Sequence, residues 1–160
     1  MNNKIDFLVD SMLGNIARKF RLLGFDSKYF STIKKEQFLA IAKNENRVVV
    51  TKDHHLSNIC SKQNIATIEL FNVNETDQII EICKKLNIPK CKINMNYIRC
   101  TLCNGVIESI EKKKILDIIP AKVTQNIEYF WICNSCNKIY WEGTHIRNLQ
   151  KFIGEINEKL

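Results

Sequence analysis

Two short apolar runs set the frame of this chain. Ile5-Asp6-Phe7-Leu8-Val9 is nearly all apolar and gives way to Asp10, and Arg47-Val48-Val49-Val50-Thr51 is β-branched and leads to Asp53. Both read as strands buried on two faces of a sheet. Between them Leu13, Ile16, Ala17, Phe20 and Leu23 recur at the spacing of one helix face, which predicts a helix over Met12–Leu23 closed by Gly24. Phe25–Phe30 reads as a second strand or an extended loop. A helix is predicted over Lys35–Asn44, with Phe38, Leu39, Ile41 and Ala42 inward, and a short helix or turn over His54–Lys62. Ile65–Leu70 alternates like a strand. A helix over Thr76–Leu86 turns Ile79, Ile80, Cys83 and Leu86 inward, with Asn74 or Thr76 as cap, and Ile88-Pro89 stops it.

Strands alternating with helices predict βαβ units, hence an α/β fold with a parallel, three-layer α/β/α sheet. Past Lys90 the pattern becomes short strands and turns around cysteines, as far as about Trp141. A last helix over Thr144–Lys159 carries the stripe Ile146, Leu149, Ile153, Ile156. The expected division is residues 1–89 and residues 90–160.

The 7 cysteines include two Cys-x-x-Cys pairs, Cys100/Cys103 and Cys133/Cys136. Redox pairs open a helix after a strand, and neither pair precedes a convincing helix. Four thiolates in two tight turns fit structural zinc, closed to chemistry. Such turns call for a left-handed residue, for which Gly105 and Asn137 are suited. Cys60, Cys83 and Cys91 lack this spacing, and Cys83 falls on an apolar helix face.

A net charge of +7 over 160 residues favours a polyanionic partner. No apolar run reaches the roughly 18 residues of a membrane span, and no signal-peptide pattern opens the chain, so a cytoplasmic location with reduced thiols is expected.

In a parallel sheet, residues just past the strand ends face the ligand site. Asp10 and Asp53 would therefore share an acidic site able to hold Mg²⁺ or Mn²⁺ for phosphodiester hydrolysis. Asp6 lies roughly 13 Å back along an extended strand and is set aside. Glu36 is the candidate third carboxylate, or a first-turn acid favoured by the helix dipole. Thr51, Ser11 and Asn15 could hydrogen-bond a metal-bound water or phosphate. Arg18, Lys19 and Arg21 form either a solvated helix face or phosphate contacts.

Phe7-Leu8-Val9-Asp10-x-Met12-Leu13-Gly14, Arg21-Leu22-Leu23-Gly24-Phe25-Asp26 and Arg47 through Asp53 resemble the Mut-seven C-terminal RNase family. Cys133-x-x-Cys136 followed by Ile139-Tyr140-Trp141-Glu142-Gly143-Thr144-His145 is similar to that family's closing signature. The resemblance covers almost the whole chain. It implies a PIN-like nuclease domain followed by a zinc ribbon, and a metal-dependent endoribonuclease acting on single-stranded RNA. It carries metal-site roles onto Asp10 and Asp53. Arg18, Arg21 and Lys52, with the ribbon, become candidate RNA contacts. Where the family tends to place an Asp before the second helix, this chain has Lys35, with Glu36 beside it. That departure keeps open a PIN-like module that holds RNA or a ribonucleoprotein without cutting; a toxin of a toxin–antitoxin pair is a weaker alternative. Glu142 and His145 stand either near the site or in a structural turn, and Trp131, Tyr140 and Trp141 either stack on bases or form ribbon core.

Overall fold

The computed structural model describes residues 5–160; residues 1–4 of the first expected unit lie outside the described residues. Four parallel strands form the main sheet: β1 (Asp6–Val9), β2 (Asp26–Tyr29), β3 (Val48–Thr51) and β4 (Thr67–Glu69), in the order β2-β1-β3-β4. Each is followed by a helix, except that β4 leads through a loop to the last of them: α1 (Gly14–Leu22), α2 (Lys35–Asn44), α3 (His54–Lys62) and α4 (Glu75–Lys85). The helix predicted from Met12 starts later, because Ser11–Leu13 form a 3₁₀ turn first.

Alternate side chains of the strands feed two separate cores, as a sheet covered on both faces requires. Phe7, Val9, Val50 and Ile68 pack with Leu13, Ile16 and Phe20 of the α1 region and Ile79, Ile82 and Cys83 of α4. Leu8 and Val49 point the other way, into Phe38 and Ala42 of α2 and Leu56 and Cys60 of α3. Phe7 stacks on Phe20 with centroids 4.6 Å apart, and Phe25 meets both rings edge-on.

The helices of this unit stop in one way. Gly24, Asn46, Asn64 and Asn87 follow α1 to α4 with φ of 90°, 50°, 55° and 51°. Asparagine and glycine tolerate this left-handed conformation better than other residues. The next residue donates back into the last turn each time: Phe25 to Phe20, Arg47 to Ala42, Ile65 to Cys60, Ile88 to Cys83. The sequence reading found only Gly24.

Beyond Lys90 a second, antiparallel sheet runs β5 (Ile107–Ile110), β6 (Phe130–Cys133), β7 (Ile139–Trp141). A helix the sequence reading did not anticipate, α5 (Ala121–Asn126), lies in the excursion between β5 and β6. This excursion accounts for the long spacing between the cysteine pairs. The ribbon core holds Met95, Ile98, Ile107, Trp131 and Tyr140.

The last helix, α6 (Thr144–Asn157), reaches both the ribbon core and the sheet core. Its Ile146 packs in the ribbon core, whereas Ile153 and Ile156 pack in the sheet core beside α4. Asn157 fastens the segment leaving α4, accepting from the Cys91 N–H at 2.8 Å and donating to its carbonyl at 2.9 Å. The Cys91 Sγ lies 3.4 Å from that of Cys83 on α4. No helix among the described residues is long and apolar enough to cross a membrane.

Candidate active site and metal centre

β1 and β3 are neighbours in register, Val9 opposite Val50, so the residues that follow them meet at the carboxyl edge. Asp10 stands there next to Thr51, whose hydroxyl is buried and donates to Asp10 Oδ2 at 2.7 Å. The same hydroxyl accepts from the Asp53 N–H at 2.9 Å. Thr51 thus joins the two aspartates through one oxygen.

Asp53 also caps α3: its Oδ1 accepts from the N–H groups of His55 at 2.8 Å and Leu56 at 3.2 Å. That bond fixes one carboxylate oxygen and leaves Oδ2 for other partners. Asp10 keeps its second oxygen near solvent, 3.3 Å from the Ser11 hydroxyl. Both aspartates line one open cleft of about 340 Å³, with Ser31, Thr32, Lys35 and Phe38 on the facing wall. Tyr29, at the end of β2, donates to the Ser11 carbonyl at 3.1 Å and lies so close to Gly14 that any Cβ there would sit 3.0 Å from its ring.

Of the other sequence candidates, Glu36 sits exposed on the first turn of α2 and does not line this cleft; Lys35, one residue earlier, does. Arg18 is exposed and Lys52 half-buried at the end of β3. Asn15 is exposed. Lys19 pairs with Glu75 and lies 4.0 Å above the Phe152 ring of α6. Glu142 and His145 are exposed around the start of α6 and are not part of the cleft wall.

Arg21 corrects the sequence reading. It is neither a solvated charge nor an available RNA contact, being 4% exposed with its Nε and Nη1 donors committed to backbone carbonyls. Its Nε donates to the Ser27 carbonyl at 2.8 Å, and its Nη1 to the carbonyls of Thr101 at 2.8 Å and Leu102 at 3.3 Å. Thr101 and Leu102 lie between the first two cysteines, so this guanidinium fastens the ribbon to the sheet. Asp26 does the same from β2. It accepts from Arg47 at 2.7 Å and Asn104 at 2.8 Å and pairs with Arg99 at 3.1 Å. Burial alone would raise its pKa, but the Arg47 and Asn104 hydrogen bonds and the two guanidinium charges hold the carboxyl below the usual range.

The four cysteines come together with every Sγ within 4.8 Å of the others. Cys100–Cys136 and Cys103–Cys133 are each 3.4 Å apart. Tetrahedral zinc with bonds of about 2.3 Å separates its sulfurs by about 3.8 Å, so the arrangement fits a metal such as zinc. The two turns are copies of one another. Asn104 and Asn137 have φ of 65° and 60° and donate to the carbonyls of Cys100 and Cys133. Cys100 and Cys133 in turn donate to the carbonyls of Gly105 and Lys138.

Asn104, not Gly105, is therefore the left-handed residue of the first turn. Gly105 is needed for a different reason: a Cβ there would lie 2.7 Å from Ser135 Oγ and 3.0 Å from Cys133 Sγ. Burial opposes ionisation of Cys100, yet the Tyr140 hydroxyl, 3.1 Å from its sulfur, and the backbone N–H groups of Cys103 and Leu102 bring its pKa down to about 6. A thiol that ionises readily suits a metal ligand. Tyr140 and Trp131 are buried in the ribbon core, where the Trp131 indole N–H donates to Asn96 at 3.2 Å. Trp141 is half-buried against Phe130.

No curated protein matches the chain. A family model described as the Mut7-C RNAse domain matches residues 5–153, nearly its whole length.

Proposed function

The chain belongs to the Mut7-C RNAse domain family, and from that premise we propose that it is a metal-dependent endoribonuclease cutting single-stranded RNA. The observation that supports this most is the pairing of Asp10 and Asp53 across one cleft at the carboxyl edge of adjoining strands, tied by Thr51. The two carboxylates, each with an oxygen not fixed by the helix cap or the Thr51 hydroxyl, would hold Mg²⁺ or Mn²⁺. Bound there, the cation supplies charge to offset that developing on phosphate and acidifies a water.

The chain's own groups do the rest. Thr51 fixes the Asp10 carboxylate and so keeps its free oxygen aimed at the cleft. The cap bond fixes Asp53 in the same way. Arg18, exposed on α1, and Lys52, next in the chain to Asp53, would serve as phosphate contacts. Glu36 as a third carboxylate would need to swing inward from its exposed turn. The ribbon, with structural zinc on Cys100, Cys103, Cys133 and Cys136, would add surface for RNA while held to α1 and β2 through Arg21 and Asp26. The family fold and the strand order favour residues 1–89 as the nuclease unit and residues 90–160 as ribbon and helix, α6 bridging the two.

Lys35 in the cleft wall favours a second reading, a module that holds RNA without cutting it. The test is single-stranded RNA with zinc-loaded protein in EDTA, then with Mn²⁺ restored. Cutting that EDTA abolishes and Mn²⁺ restores supports the nuclease; RNA bound but intact under both conditions supports the second reading.

A further inference from the structure

Three titratable side chains line the cleft: Asp10, Asp53 and Lys35. Two carboxylates thus face a single ammonium. Sites that hold two divalent ions roughly 3.5–4 Å apart place several carboxylates around and between them. Here one carboxylate is fixed as a helix cap, the other accepts from Thr51, and the next acid along, Glu36, is outside the cleft. Two such ions beside an ammonium would set +5 against −2. One ion fits, since Mg²⁺ is commonly held by one or two carboxylates with water and substrate phosphate completing its shell.

Lys35 is exposed and makes no ion pair among the described residues, and it stands in the first turn of α2, where the helix dipole disfavours a cation. The helix start has no side-chain cap from Lys34. An ammonium and uncapped N–H groups beside two carboxylates form an arrangement that an anion would complete.

Resting on the nuclease reading of this cleft, we infer that it takes one divalent cation rather than two, with the Lys35 ammonium supplying the remaining positive charge as a contact to the RNA phosphate. Lys35 is then a positioning group for substrate and a bar to a second ion. Substitution separates the two roles. Lys35→Ala removes the phosphate contact. Lys35→Asp removes it and adds a carboxylate.

The experiment is equilibrium dialysis of zinc-loaded full-length protein against Mn²⁺, with bound Mn²⁺ counted by electron paramagnetic resonance. Wild type, Asp10→Asn, Lys35→Ala and Lys35→Asp are compared. The expected result is one Mn²⁺ per wild-type chain, lost in Asp10→Asn. Lys35→Asp should bind Mn²⁺ roughly tenfold tighter or take a second ion. Binding of single-stranded RNA, measured with no Mg²⁺ or Mn²⁺ present so that no strand is cut, should weaken in Lys35→Ala, with the salt slope reduced by about one.

Two Mn²⁺ ions in the wild-type cleft, or no change in count and affinity for Lys35→Asp, would overturn the inference and leave the nuclease reading standing. No Mn²⁺ in wild type but one in Lys35→Asp would overturn it in favour of a module that holds RNA without cutting. No Mn²⁺ sensitive to Asp10 in any variant would remove the metal site itself, and the nuclease reading with it.

Discussion

Arg21→Met tests whether the ribbon is fastened to the sheet by a buried charge. Methionine keeps most of the side-chain length and removes the donors. Three carbonyls, of Ser27, Thr101 and Leu102, then lose partners at 2.8, 2.8 and 3.3 Å. Hydrogen bonds to charged groups contribute roughly 1.5–3 kcal/mol each, and such values do not add. Against them stands the cost of burying the guanidinium. Burial is the largest influence on Arg21 and lowers its pKa, ahead of the favourable charges of Cys100 and Cys103.

Allowing for that, the net loss should be about 3 kcal/mol. With a slope near 2 kcal/mol per molar urea, the unfolding midpoint should fall by roughly 1.5 M. Zinc release and loss of helical circular dichroism, followed together in urea, should both move to lower concentration. Arg18→Met on the exposed face should change stability by less than about 0.5 kcal/mol, a midpoint shift of under about 0.25 M urea. An unchanged midpoint in Arg21→Met, with RNA binding weakened instead, would refute the structural role and restore Arg21 as a substrate contact.

Further outcomes follow from other bonds. Asp53→Ala should lose about 1 kcal/mol of stability with its α3 cap, whereas Asp53→Asn keeps the cap, so loss of cleavage in Asp53→Asn at unchanged melting temperature separates metal binding from folding. Asp26 has a depressed folded pKa, so its stabilisation is full above the unfolded value of about 4 and is lost as pH falls through the lower folded one. Asp26→Asn should therefore be less stable at pH 7 and show a shallower acid limb in urea titrations below pH 4. Gly105→Ala should weaken zinc retention against a chelator, because its Cβ would enter the space of Ser135 Oγ and Cys133 Sγ. Stripping zinc should speed hydrogen exchange across β5–β7 well before it reaches β1 and β3, since the sheet has its own two cores.

The elements that rest on periodicity were legible in the sequence. α2 runs over Lys35–Asn44 as its apolar spacing requires, and β1 and β3 fall on the apolar runs beside Asp10 and Asp53. The four cysteines were legible because a two-residue spacer dictates a tight turn. What escaped depends on partners far along the chain. A buried Arg21 reads as one more surface charge on α1 until Thr101 and Leu102 are placed beside it. The Asn104 amide, donating to Asp26 and accepting from the Ser27 N–H, has no local sign. The repeated asparagine stops after α2, α3 and α4 do have a local sign, an asparagine just past each apolar helix. The Asp53 cap has a local sign too, an aspartate directly before a helix, and it is compatible with a metal role because it occupies only Oδ1.

The most direct measurement is made on a circular single-stranded RNA, which offers no ends to an exonuclease. Zinc-loaded wild type and Asp10→Asn are compared with and without Mn²⁺. The account predicts full-length linear RNA from wild type in Mn²⁺ only, and none from Asp10→Asn. Intact circles with wild type in Mn²⁺, still shifted in a native gel, would contradict it and leave a protein that binds RNA without cutting it.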